Sequence, residues 1–244
     1  AEVADALISN LTEKDKRKTV AVHAVVERII QTSGPTIFEV FDGTGRLPLK
    51  AFVVAGERSY PTIKEGDYVK GVITIDEFNG ELEGNIDKFF KKQGEGKEKL
   101  EEIITHRLRK RAEIKDGTFL VKSPILDKLK KGFIAAANEI RLAILQARPI
   151  IVRHHNDTDG YSSGFALERA IIPLIQKEHS NPKAAWEYFT RAPCAAPFYD
   201  IEDSIKDTAN SLRNAAKFSN KMPLIIIADN GSTEQDLMAI QQAK

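Results

Sequence analysis

Pro149-Ile150-Ile151-Val152-Arg153-His154-His155-Asn156-Asp157-Thr158-Asp159-Gly160 is the stretch that decides how this chain reads. It opens on an apolar run of strand length and breaks into an acidic turn closed by a glycine. A strand ending this way and leading into a helix sets imidazole and carboxylate groups at the carboxyl edge of a sheet, where open α/β domains keep their ligands. A second turn of the same kind, Asp229-Asn230-Gly231, follows the apolar run Leu224-Ile225-Ile226-Ile227. Two acidic strand ends in one parallel sheet make a metal centre the leading expectation.

The residue types fit that chemistry. Asp157 and Asp159 are separated by one residue and face one crevice once the chain turns, so each can serve a different cation of a pair. His155 adds a nitrogen ligand, which suits manganese or zinc better than calcium. Gly160 permits the sharp turn, and Asp229, from a neighbouring strand, is placed to bridge both ions. Two cations about 4 Å apart clamp the attacking and leaving oxygens of a phosphate ester. An EF-hand loop shares the Asp-x-Asp-Gly core, but its first ligand position falls on His155 and its twelfth on Ala166, neither suited to calcium. A haloacid-dehalogenase-type phosphatase also places Asp-x-Asp after a strand; that family expects Thr or Val where Tyr161 stands. The bland alternative, solvated turn carboxylates, accounts for one such turn better than for two with a histidine.

Outward from these turns, strands alternate with helices: a helix over about 123–147, a strand at 149–154, a helix over 162–176, a polar helix over 201–218, a strand at 224–228 and a helix from 233. That alternation implies a parallel sheet. Residues 179–200 are mixed and read as neither. His154 beside the motif reads as structural, and His23, His106 and His179 show no ligand spacing.

The first part of the chain has period two instead. Segments at 19–30, 36–41, 47–54, 68–75 and 82–89 are separated by turn signals, among them Asp42-Gly43-Thr44-Gly45 and the hairpin pair Asn79-Gly80. Five short strands in so few residues predict a small barrel. The expected organisation is a lead-in at 1–18, a barrel at 19–92, a linker helix at 93–115 and an α/β part at 116–244. Across the boundary of the second and third of these, 91–99 is charged and glycine-bearing and reads as the linker proper, with helical spacing starting at Leu100, Ile103, Ile104 and Leu108.

If Phe38, Val40, Leu47, Leu49 and Ala51 point inward, then Ile37, Glu39, Phe41, Arg46, Lys50 and Phe52 point outward. Aromatics beside cations are what single-strand binding uses, rings for bases and charges for phosphates. Phe41, Arg46, Lys50 and Phe52 are therefore the candidate nucleic-acid contacts; packing of these rings on a neighbouring domain is the alternative. The basic run Arg107, Arg109, Arg111 and Lys115 complements a helix carboxyl end and reads first as a solvated face.

Composition sets outer bounds. With 244 residues, 42% hydrophobic and 29% charged, and a net charge of +1, the chain is no polycation, so any nucleic-acid contact must be local. The single cysteine, Cys194, excludes an internal disulfide framework and suits a reducing cytoplasm. No apolar run is long enough to cross a bilayer, and no membrane partner is expected. A first residue Ala1 and a last residue Lys244 inside an expected helix read as the ends of a fragment.

Two resemblances follow. The strands over 19–92 resemble an OB-fold of the type found in tRNA synthetases and replication proteins. His155-x-Asp157-x-Asp159-Gly160 with Ser162-Ser163-Gly164, and then Asp229-Asn230-Gly231-Ser232, resemble the first two motifs of the DHH phosphoesterases, with archaeal RecJ-like nucleases the best match. The helical segments 119–129 and 135–147 also look like that group. The resemblance implies a fold of α/β plus all-β class, an OB barrel followed by helices and part of a parallel-sheet DHH domain. It implies a metal-dependent exonuclease acting on single-stranded DNA or RNA, with manganese as the cofactor and magnesium as its substitute. Carried over, His155 and Asp157 would hold one ion, Asp159 the other, and Asp229 would bridge. The family's Asp-His-His motif does not occur in the sequence, so these 244 residues by themselves are expected to be inactive. A non-catalytic replisome scaffold beside GINS-type proteins, or a phosphoesterase acting on oligoribonucleotides or small molecules, are the alternatives.

Overall fold

The computed structural model describes residues 3–54, 56–179, 183–215 and 221–244. They form two units, 1–110 and 111–244, each described by itself.

In the first unit, period-two alternation closes into a barrel of β1 (Thr19–Gln31), β2 (Thr36–Phe41), β3 (Arg46–Ala51), β4 (Tyr68–Phe78) and β5 (Glu81–Lys91). The order around the barrel is β1-β2-β3-β5-β4. All pairs are antiparallel except β3 with β5, and β1 also pairs with β4, which closes the ring. This is the OB topology. Phe38, Val40, Leu47 and Leu49 fill the interior with residues from β1 and β4 such as Val26 and Ile73. Phe38, Phe89 and Tyr60 meet edge to face there, with centroids 5.2–6.4 Å apart. Asn79 and Gly80 take φ of +53° and +82°, the signs a type I′ hairpin needs.

Strand lengths depart from the sequence reading. β3 stops at Ala51 rather than running to residue 54, so Phe52 leaves the sheet; β4 and β5 extend further, because the tight Asn79-Gly80 turn lets pairing continue to Phe78 and Glu81. The expected linker at 91–99 is the end of β5 and the first turns of α1 (Gly94–Ala112). Its charged residues are good helix formers, and Lys99 pairs with Glu95 one turn earlier at 2.5 Å. The basic run is partly engaged: Arg107 donates to the Asp42 carbonyl at 2.7 Å.

In the second unit, α2 (Pro124–Leu145) leads to β6 (Ile150–His155), α3 (Thr158–Glu178), α4 (Ala184–Tyr188), β7 (Phe189–Cys194), α5 (Ile201–Ala215), β8 (Leu224–Ala228) and α6 (Glu234–Ala243). The sheet is parallel in the order β7-β6-β8. Ile150 and Val152 pack with Ile144, Ile171 and Ile175 as its core. β7 lies in the stretch that read as neither helix nor strand: Thr190, Arg191 and Pro193 hide an edge strand, where a proline is tolerated. The expected helix end at 216–218, and residues 180–182 of the unassigned stretch, lie outside the described residues. α3 starts four residues earlier than its apolar spacing suggests, so Thr158 and Asp159 occupy its first turn.

The middle of β6 carries a buried cation. Arg153 is 5% exposed and meets Asp207 at 2.6 Å and Asp203 at 2.9 Å, both on α5. His154, fully buried, packs against Gly164 of α3; a Cβ on Gly164 would lie 2.3 Å from the imidazole Cδ2. Glycine there lets the helix approach the strand that carries the site. No helix among the described residues is long and apolar enough to cross a membrane.

Candidate metal centre

β6 ends on His155 and α3 begins three residues later at Thr158, with Asp157 as its N-cap. One oxygen of Asp157 accepts the Gly160 amide at 3.1 Å, satisfying an otherwise free helix donor. Its other oxygen lies 2.7 Å from His155 Nδ1. The cap therefore fixes Asp157 while leaving one oxygen toward the histidine. Asp229 follows β8, whose residues pair with β6 up to His154 opposite Ala228. That register brings the two acidic turns side by side. His155, Asp157 and Asp229 each offer a ligand atom, and the three atoms lie within 4.8 Å of one another.

Charge is arranged to attract a cation. The Gly160 amide, and then His155, hold the Asp157 carboxyl below the usual carboxylate range against the opposing effect of burial. Loss of surrounding water, then the like charges of Asp159 and Asp157, push the Asp229 carboxyl above it. Carboxylates converging on one point with an imidazole suit a borderline divalent ion such as manganese or zinc. Asp159, in the first turn of α3, falls outside the three-residue group, although its charge acts on Asp229. His154 uses Nδ1 to meet the His155 carbonyl at 2.7 Å and is fully buried.

The barrel candidates fare differently. Phe41 is 2% exposed, which corrects the expected outward ring: across β2 and β3 it is paired with Arg46, whose guanidinium covers it at 4.5 Å. Alternation assigns a side of the sheet, and a neighbour on that side decides exposure. Arg46 is further held by Glu27 at 2.7 Å. Lys50 meets Glu83 at 2.5 Å and lies 4.4 Å from the centre of the Phe78 ring. Phe52 is 65% exposed. Phe78, 59% exposed beside Lys50, was not singled out from the sequence; an aromatic directly before Asn79-Gly80 was the available signal.

No family model matches the chain. It is 42% identical, over 236 residues, to an uncharacterised protein of Methanocaldococcus jannaschii; the match covers 96% of this chain and 31% of that one. The chain thus spans under a third of the length of the curated relative it matches. A solved structure described as the DHH domain of a member of the S1p family of ribosomal proteins is 46% identical, with a TM-score of 0.57, over 59% of this chain and 33% of its own. Schizosaccharomyces pombe Pot1pC bound to single-stranded DNA is 18% identical over 43% of this chain and 97% of its own, with a TM-score of 0.37. The chain therefore resembles a DHH-domain protein in sequence and structure, and its fold combines an OB barrel with a parallel sheet.

Proposed function

We propose that this chain carries the metal-binding part of a RecJ-like DHH phosphoesterase, a manganese-dependent exonuclease of single-stranded DNA or RNA. The observation that carries the reading is the convergence of His155, Asp157 and Asp229 from two neighbouring strand ends. His155 and Asp157 would hold one ion, Asp159 a second, and Asp229 would be shared; magnesium would substitute. Such ions, when bound, neutralise the phosphate and acidify a water. The chain's own residues hold and orient: the Asp157 cap keeps one carboxylate oxygen toward His155, and the β6–β8 register presents Asp229 to both. Phe52, just past the end of β3, and Phe78 offer exposed rings for stacking, while Lys50 beside Phe78 is already paired with Glu83.

A second reading, a non-catalytic scaffold, is favoured by one observation: Asp159 stands outside the three-residue group. The test is digestion of end-labelled single-stranded DNA and RNA by the full-length protein that contains this chain, with and without manganese, beside its Asp159→Ala variant. Manganese-dependent release of mononucleotides that the substitution abolishes supports the nuclease. Binding of the strand without cleavage supports the scaffold.

A further inference from the structure

Asp229 stands on a turn that needs holding. Its φ is +71° and that of Gly231 is +94°, two left-handed residues in three. A Cβ on Gly231 would lie 2.8 Å from Ile227 Cγ2, so no larger residue fits. The Asn230 side chain is buried beside the Cys194 thiol and makes no hydrogen bond within the turn itself.

The anchor is Asp236, fully buried in the first turn of α6. One of its oxygens accepts the Gly231 amide at 3.1 Å and the Tyr199 amide at 2.6 Å. The other accepts the amide and hydroxyl of Thr233 at 2.8 and 2.6 Å. Capping α6 needs only the Thr233 pair; the remaining two bonds reach the Asp229 turn and the segment before α5. From Tyr199 the connection continues, because its hydroxyl donates to Asp207 at 3.1 Å, and Asp207 accepts from Arg153 on β6 at 2.6 Å. One hydrogen-bonded chain thus links the turn bearing Asp229 with the strand bearing His155, the two sides of the ligand set.

We propose that Asp236 is a positioning residue of the metal centre, fixing the Gly231 turn so that Asp229 faces His155 and Asp157. This rests on the metal reading above. Groups that orient metal ligands typically contribute about 10–100-fold in affinity.

The test is a manganese titration of the full chain by electron paramagnetic resonance, on wild type, Asp236→Asn and a control, Ile171→Val, in the core of the same unit. Asp236→Asn should weaken manganese binding about 10–100-fold while circular dichroism still shows a cooperative melt. The control should lower Tm and leave affinity unchanged. Wild-type affinity in Asp236→Asn overturns the proposal, as does a loss in the control that follows its Tm. If the wild type binds no manganese, the metal reading itself fails and takes this role with it. Should Asp236→Asn not fold, Thr233→Val and Tyr199→Phe each weaken one link; a smaller loss of affinity in either supports the proposal, and unchanged affinity in both overturns it.

Discussion

The outer face of the barrel and the carboxyl edge of the sheet both gather charged side chains, in opposite ways. On the barrel, unlike charges meet: Arg46 lies against Glu27 and Lys50 against Glu83, and each cation also covers an aromatic ring. At the sheet edge, like charges meet: Asp157 and Asp229 converge, and the charges of Asp159 and Asp157 help raise the Asp229 carboxyl. A paired surface has already met its electrostatic need from within the chain. At the sheet edge the repulsion on Asp229 stays uncompensated, among the described residues, by a cationic side chain of the kind the barrel supplies. Under the metal reading proposed above, a divalent cation would relieve it. The difference teaches that a count of charges says less about binding than whether each charge already has its counterpart.

Removing a ligand should produce the largest effect. Asp229→Ala or His155→Ala is expected to weaken manganese binding by more than the roughly 100-fold that outer partners contribute, as read by isothermal titration calorimetry. Unchanged binding would make the sheet edge as self-sufficient as the barrel and end the contrast.

Phe41 tests the other side. Because its ring is buried, Phe41→Ala should destabilise the chain by about 3–5 kcal/mol in urea unfolding. A loss of single-strand affinity with stability intact would return Phe41 to the binding face.

Phe52 sharpens the same region. Its exposed ring predicts that Phe52→Ala costs single-stranded DNA or RNA about 1–3 kcal/mol of binding in a fluorescence titration, with stability changed by no more than about 0.5 kcal/mol. Equal affinity for the variant would remove stacking at this rim.

The smallest effect concerns acid. Burial alone would raise the Asp236 carboxyl, but the Thr233 hydroxyl and the amides of Tyr199, Thr233 and Gly231 outweigh it and hold the carboxyl below the usual range. A carboxyl with a lower value folded than unfolded stabilises the protein above the unfolded value, about 3.9. That stabilisation is lost as pH falls through the lower folded value. Unfolding free energy should therefore drop below about pH 4, and less steeply in Asp236→Asn; parallel curves would contradict the assignment.

Much of this was legible in the residues. The alternation at 36–41 marked β2 to the residue, and Leu224–Ala228 is β8 as its apolar run indicated. Short-range periodicity encodes such elements directly. β7 was not legible, since Arg191 and Pro193 interrupt the pattern that a buried strand would show. Among site residues, His155, Asp157 and Asp229 were marked by their place after apolar runs. Asp236 was not, because a carboxylate early in a helix normally means a solvated cap. Only its contacts with Tyr199 and Gly231 distinguish it.

The sequence by itself determined the two architectures and the two acidic turns, because strand period, glycine turns and residue type act over a few neighbouring positions. Tertiary structure alone decided which candidates meet. The β6–β8 register brought Asp229 to His155, while Arg46 closed over Phe41 across a strand pair. Both outcomes depend on residues distant along the chain, and no local pattern records what will stand opposite a side chain once the sheet has formed.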